Sequence, residues 1–107
     1  MNSSLFRISV AQQSGTWIVS LSGELDYAAS IELVPKLVDI TDNCDADLLF
    51  DLGQVTLIDS EGIKAILAAQ ERMRGKDGEV RVINCSLAAR RVLHLVGVDE
   101  ALGVRAG

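Results

Sequence analysis

Residues 55–63, VTLIDSEGI, run from an apolar segment of strand type straight into the start of a helix. Beyond them, apolar side chains recur at helical spacing from Ile63 to Met73. Gly75 then stands where a left-handed residue often ends a helix. A strand that leads directly into a helix is typical of proteins in which helices cross between parallel strands. This stretch therefore sets the expectation of an α/β fold.

Two strands are predicted upstream of this stretch. Apolar and polar residues alternate from Phe6 to Val10 and again from Trp17 to Leu21, with a tight turn at Ser14-Gly15 between them. The alternation of apolar and polar residues ends at Gly23. The two segments are expected to form a hairpin.

A first helix is predicted after this hairpin. Asp26 is placed to act as its N-cap. Pro35 lies too deep to be a first-turn proline, so we expect a kink or a lost hydrogen bond near Ile31 within one helix. The apolar positions that recur at helical spacing, and so predict the buried face, are Ile31, Val34, Leu37 and Val38.

A central strand and a last strand are predicted on either side of the helix that follows Asp59. Residues 43–46 are predicted to be a loop, and the apolar run 48–50, LLF, is typical of a parallel strand covered on both faces. Val80, Val82 and Ile83 indicate the last strand.

A third helix is predicted at the end of the chain. Ser86 can cap it and Gly97 can close it. Residues 98–107 are expected to form a short helical turn and a frayed end. The apolar residues assigned to this helix are Leu87, Val92 and Leu95.

The element order is therefore β-β-α-β-α-β-α, an α/β arrangement in which about three to four helices cover a mixed sheet of about four strands. A length of 107 residues predicts one domain over residues 1–107. Because 49% of the residues are apolar and only 4% aromatic, the core is expected to consist mainly of aliphatic side chains.

Charge and composition argue against several classes of function. A net charge of −5 opposes binding to nucleic acids and anionic membranes. No stretch reaches the roughly 20 apolar residues that span a bilayer, and residues 1–5 lack the features of a secretory signal, so a cytoplasmic protein without membrane insertion is expected. Cys44 and Cys85 stand apart, without metal-ligand spacing, which predicts free, partly buried thiols and neither a metal site nor another cofactor.

Ser60 is the serine whose position in the sequence favours a chemical modification of its hydroxyl. At a helix N-terminus, unpaired backbone N–H groups and the helix dipole favour a phosphate. Gly62 in the first turn is expected to leave the backbone uncovered, so that a partner can approach the hydroxyl. The alternative interpretation is purely structural, with Ser60 or Asp59 serving as the N-cap.

Two strings together extend this interpretation. Residues 21–26, LSGELD, end the predicted second strand, and residues 57–63, LIDSEGI, open the second helix. Combined with the chain length and the element order, they resemble the STAS family, and the resemblance runs from about Phe6 to Val104.

The resemblance is to the bacterial anti-sigma factor antagonists of that family. It implies that an anti-sigma factor, itself a kinase, phosphorylates Ser60. The unphosphorylated form is then expected to bind the anti-sigma factor and free a sigma factor for transcription, and a phosphatase resets the cycle. Asp59 would position the hydroxyl or contact the kinase, and Asp26 would belong to the docking surface. The residues expected at the partner surface are Asp26, Asp59, Ser60, Glu61 and Gly62.

Glu61 departs from the family pattern, which usually has Ser, Ala or Thr between the motif serine and glycine. Its carboxylate suits a helix start but repels a phosphate. It motivates an alternative function, a STAS scaffold subunit of a transporter or other signalling complex without a phospho-switch. An enzyme is not expected. No Gly-x-Ser-x-Gly or Gly-x-x-x-x-Gly-Lys string occurs, and nothing in the sequence brings the single histidine, His94, to Ser60.

Overall fold

The computed structural model describes residues 5–104, and this part of the chain contains four strands and three helices in the predicted order. The elements are β1 Arg7–Gln13, β2 Thr16–Leu25, α1 Tyr27–Asn43, β3 Leu48–Ile58, α2 Ser60–Arg74, β4 Val80–Cys85 and α3 Leu87–Leu95. The prediction of an α/β fold with a mixed sheet is confirmed.

The sheet has the strand order β1-β2-β3-β4. β1 pairs with β2 in antiparallel orientation, whereas β3 pairs in parallel with both β2 and β4. Ser14 and Gly15 form the tight turn between β1 and β2, both at positive φ (53° and 83°), as in turns that match the twist of a hairpin. The prediction that residues 48–50 lie in a central parallel strand is confirmed.

The core lies on one face of the sheet. β2, β3 and β4 are adjacent in the sheet in the same order as in the chain. Right-handed crossovers between them therefore place α1 and α2 on the same face of the sheet. Leu48, Phe50 and Leu52 of β3 are fully buried, while Leu49 and Asp51 on the opposite face are only half-buried. The expectation that this strand is covered on both faces is therefore wrong. Phe50 is the one aromatic side chain buried among residues 5–104, so the core is aliphatic as predicted.

The buried face of α1 differs from the predicted one. α1 is a single helix with Pro35 inside it, and Asp26 is its N-cap, both as predicted. However, Ile31, Val34 and Val38 are exposed, and of the predicted apolar face only Leu37 is buried. The helix carries two apolar stripes, and the sheet packs against the other one, which consists of Ala29, Leu33, Leu37 and Ile40.

β2 continues past Gly23 and ends at Leu25, within residues 21–26, where the second strand was predicted to end. Gly23, where the alternation ends, lies at an irregularity in the β2–β3 pairing and has φ +90°. A Cβ atom there would stand 2.2 Å from the carbonyl oxygen of Leu5, so the close passage of the N-terminal segment requires a glycine.

The end of α2 also differs from the prediction. Gly75 has right-handed φ and ψ, and the left-handed residue is Asp77, at φ 61°. Gly78 N–H then donates to the carbonyl of Met73. The turn that ends the helix is therefore made by residues 75–78 rather than by Gly75 alone.

α3 is capped by Ser86 and followed by Gly97 at φ +78°, both as predicted. Its buried residues are Ala89 and Leu93, whereas Leu87 and Leu95, two of the apolar residues that the sequence assigned to it, are exposed. The chain from residue 98 to 104 forms turns that pack against β4, where Val82 N–H donates to the Leu102 carbonyl (2.8 Å). The predicted frayed end at 105–107 lies outside the described residues.

Candidate functional site

The candidate site is the edge of the sheet where β2 and β3 end and α1 and α2 begin. Carboxyl ends of parallel strands meet at one edge, so the loops that follow them are neighbours. Asp59 N–H donates to the Leu25 carbonyl (3.2 Å), which joins the two strand ends directly. Asp26 and Asp59 follow the ends of β2 and β3, respectively. The structure thus brings together the two strings that were 30 or more residues apart in sequence.

Asp59, not Ser60, caps α2. Its Oδ1 accepts hydrogen bonds from the backbone N–H groups of Glu61 (2.9 Å) and Gly62 (3.1 Å). Ser60 is the first residue of the helix and is exposed. The hydroxyl is therefore not needed for capping and faces solvent at the positive end of the helix dipole.

Asp26 performs the same structural task for α1. Its Oδ1 accepts from Ala29 N–H at 3.0 Å. Asp26 and Asp59 are both half-buried, so each carboxylate also has a part open to solvent at this edge. Their assignment to the partner surface stays a prediction, while their capping roles are now defined.

Gly62 has a different role from the expected one. The residue is buried, and a Cβ at this position would stand 2.5 Å from the Leu25 carbonyl oxygen and 2.7 Å from Leu25 Cγ. The interpretation that Gly62 leaves the backbone open to a partner is wrong, because its open side faces β2. Gly62 lets the first turn of α2 pack closely against the end of β2 and so fixes where Ser60 lies.

Glu61 forms an ion pair on the surface of α2. Its Oε2 lies 3.3 Å from Nζ of Lys64, and the side chains are 39% and 72% exposed. The acidic residue that departs from the family pattern therefore has a cation beside it. Lys64 was not singled out by the sequence, although its spacing of three residues from Glu61 is a signal for such a pair.

Exposed apolar side chains surround this edge. Tyr27 follows the end of β2 and is 62% exposed, and Leu57 near the end of β3 is 43% exposed. Neither residue stood out in the sequence. Only the parallel pairing of β2 and β3 shows that both lie at the edge on which Ser60 lies. We call this set, Tyr27, Leu57 and Ser60, the Ser60 surface.

The other features that the sequence singled out lie elsewhere. His94 is exposed on α3 and its Nδ1 lies 2.8 Å from Asp99 Oδ2, as expected of a surface histidine. Cys44 is buried and Cys85 partly buried, and both thiols are free, as predicted. A cavity of about 460 Å³ lies beside β4, and its lining residues, among them Arg74 and Arg81, do not include any of the Ser60 surface.

Within residues 5–104, no group of three or more His, Cys, Asp or Glu side chains is arranged to hold a metal ion. In the same part of the chain, none of the helices is long and apolar enough to cross a membrane. The Ser60 surface carries the hydroxyls of Ser60 and Tyr27, and the carboxylates of Asp26, Asp59 and Glu61 and the ammonium of Lys64 lie on the elements beside it.

This chain belongs to the STAS domain family, whose model matches residues 7–106. The fold, the caps at the sheet edge and the placement of Ser60 on α2 define a protein of this class. The resemblance found in the sequence is thereby confirmed.

Similar proteins carry more specific names. The anti-sigma-F factor antagonist RsfB of Mycobacterium tuberculosis is 27% identical over 93 residues, which cover 87% of this chain and 75% of the relative. The crystal structure of an anti-sigma factor antagonist from Mycobacterium paratuberculosis superimposes with a TM-score of 0.84 at 29% identity and covers 96% of this chain and 87% of that one. The Bacillus cell fate determinant SpoIIAA in its phosphorylated form shares the fold, with a TM-score of 0.71 at 18% identity over 95% of this chain and 92% of that one.

Proposed function

We propose that this protein is an anti-sigma factor antagonist that binds an anti-sigma factor through the Ser60 surface and is released when Ser60 is phosphorylated. The observation that carries the proposal is that Asp59 and Ser60 have separate roles at the start of α2. Asp59 supplies the cap, so the exposed Ser60 hydroxyl has no structural duty that a phosphate would disturb. The names of RsfB and of the Mycobacterium paratuberculosis structure support the same role.

In this proposal the chain is the substrate of a kinase rather than an enzyme. Ser60 Oγ forms a bond to the terminal phosphorus of a nucleoside triphosphate held by the anti-sigma factor. The bond between that phosphorus and the nucleoside diphosphate breaks, and the hydroxyl proton passes to a base of the kinase. At a helix N-terminus, the helix dipole stabilises the added negative charge. A phosphatase removes the phosphate by hydrolysis and restores the binding form.

The exposed apolar residues of the Ser60 surface give the complex its contact area. Aromatic and aliphatic side chains that become buried at an interface supply most of the binding energy, and Tyr27 and Leu57 are 62% and 43% exposed. A phosphate of about −1.5 to −2 charge among them would be desolvated in the complex and would face the partner's own groups. Phosphorylation would thus dissociate the complex without unfolding either protein.

The test combines phosphorylation and binding. The protein is incubated with its cognate anti-sigma factor and ATP, and the phosphorylated residue is located by mass spectrometry. We expect phosphate on Ser60, none on Ser60→Ala, and at least roughly tenfold weaker binding by Ser60→Asp. Ser14→Asp is the matched control, because Ser14 is exposed in the β1–β2 turn at the opposite end of β2 and its positive φ suits aspartate.

Two results together would overturn the proposal: an unmodified Ser60 and full binding by Ser60→Asp. A protein with those properties, held in a stable complex whose output Ser60→Ala leaves intact, would instead be the constitutive scaffold subunit.

A further inference from the structure

We propose that Lys64 is the positioning residue that pairs with the phosphorylated Ser60 and thereby offsets the repulsion from Glu61. The inference rests on the proposed function, since it concerns the phosphorylated form of the same serine. It explains how a phosphoacceptor can be followed by a permanent carboxylate.

The carboxylates near Ser60 create an electrostatic problem. Glu61 follows the acceptor directly, Asp59 precedes it, and Glu24 and Asp26 lie at the end of β2 beside it. Each of these side chains is half-buried, and a dianionic phosphate would add to the same patch of negative charge. The group that balances such a patch must be a cation close to the acceptor.

Lys64 occupies that position. It lies four residues after Ser60 and three after Glu61 on one continuous helix, and residues with these spacings are neighbours on a helix surface. Its Nζ already contacts Glu61 Oε2 at 3.3 Å, and the side chain is 72% exposed. A lysine ammonium on a flexible four-carbon stem can therefore turn from the carboxylate to a phosphate on Ser60 without moving the backbone.

The neighbouring elements carry other cations, but none with this relation to Ser60. Arg7 begins β1 and pairs in register with Ser22, before the end of β2. Arg90 and Arg91 belong to α3, where Arg90 lines a cavity beside β4 and Arg91 is exposed. Only Lys64 lies one turn along the helix that Ser60 begins, so it is the cation that the structure assigns to the phosphate.

The experiment measures the phosphate itself and needs no kinase. Phosphoserine is incorporated at position 60 of the full chain during synthesis, and the second ionisation of the phosphate is followed by ³¹P NMR between pH 4 and 8. Because Lys64 favours the dianion, Lys64→Gln should raise the second pKa of the phosphate by roughly 0.3 of a pH unit. Lys64→Arg should restore the original value, and Glu61→Gln should lower it.

Arg91→Gln is the matched control, since it removes an exposed cation from α3, and it should leave the titration unchanged. Amide spectra of each variant establish that the fold is retained. An unchanged phosphate pKa in Lys64→Gln, or an equal change in Arg91→Gln, would overturn the assignment. Because the phosphate is installed by synthesis, this result is separate from whether an anti-sigma factor phosphorylates Ser60.

Discussion

Gly62 packs directly against the end of β2: a Cβ at this position would stand 2.5 Å from the carbonyl oxygen of Leu25. The obstacle is backbone, which cannot turn aside as a flexible side chain can. The first turn of α2 can therefore pack against β2 only because residue 62 has no side chain. The position of Ser60, in the same turn, depends on this packing.

Gly62→Ala should destabilise the protein by about 1–3 kcal/mol, because the added methyl group forces α2 away from β2. Urea unfolding followed by circular dichroism measures the change. Gly75→Ala is the control, because its Cβ would meet the carbonyl oxygen of Arg72 only at 3.6 Å and its φ is −66°, so we expect a change within about 0.5 kcal/mol. Equal stability of Gly62→Ala and the wild type would show that Leu25 can shift to accommodate the methyl group at no cost in free energy.

Asp59→Ala should cost about 1 kcal/mol of stability, since two backbone N–H groups lose their acceptor. Asp59→Ser should recover most of the loss. Ser60→Ala should change the free energy of unfolding by less than about 0.5 kcal/mol, because the hydroxyl is exposed and Asp59 is the cap. Chemical denaturation of the three variants separates the cap from the phosphoacceptor. A loss in Ser60→Ala as large as in Asp59→Ala would assign the capping role to the serine instead.

The sequence predicted which elements form but only part of what each one buries. On α1, two apolar stripes fit the same helical period, and only packing against the sheet decides that Leu33 is buried and Ile31 is not. At α2, both Asp59 and Ser60 are good caps by residue type, and the choice depends on backbone geometry at the end of β3. The sequence placed Ser60 at the helix start correctly, whereas the neighbouring Tyr27 and Leu57 became visible only through the parallel pairing of distant strands.

Stability should depend on pH through the hydrogen bond between His94 and Asp99. The hydrogen bond from His94 lowers the pKa of the Asp99 carboxyl below its ordinary value of 3.8, and backbone hydrogen bonds act in the same direction. A carboxyl with a lowered folded-state pKa contributes stability that is fully present above 3.8 and is lost as the pH falls through the lowered value. The stability difference between wild type and Asp99→Asn should therefore shrink as the pH falls below 3.8.

Urea midpoints at pH 7 and pH 3 measure this difference, and a carboxyl ¹³C titration gives the Asp99 pKa directly. Asp45→Asn, at an exposed aspartate in the loop before β3, corrects for the general effect of removing one negative charge. If the difference in stability between wild type and Asp99→Asn is the same at both pH values, the contact between His94 and Asp99 does not contribute to the pH dependence of stability.

Cys85 should react slowly with alkylating reagents at neutral pH. Burial raises the pKa of its thiol above the ordinary value of 9.0, and the nearby Arg90 guanidinium offsets only part of that rise. Since the thiolate is the reactive form, alkylation by iodoacetamide should be slower than for free cysteine at pH 7.5 and should accelerate as the pH rises past 9. Arg90→Gln should slow the alkylation of Cys85 further, because the positive charge that favours the thiolate is lost.

Mass spectrometry of tryptic peptides resolves Cys85 from the fully buried Cys44, which should stay unmodified in the folded protein. A Cys85 that reacts as fast as free cysteine would mean that the loop around residues 103 and 104, which lines the same cavity, opens readily in solution.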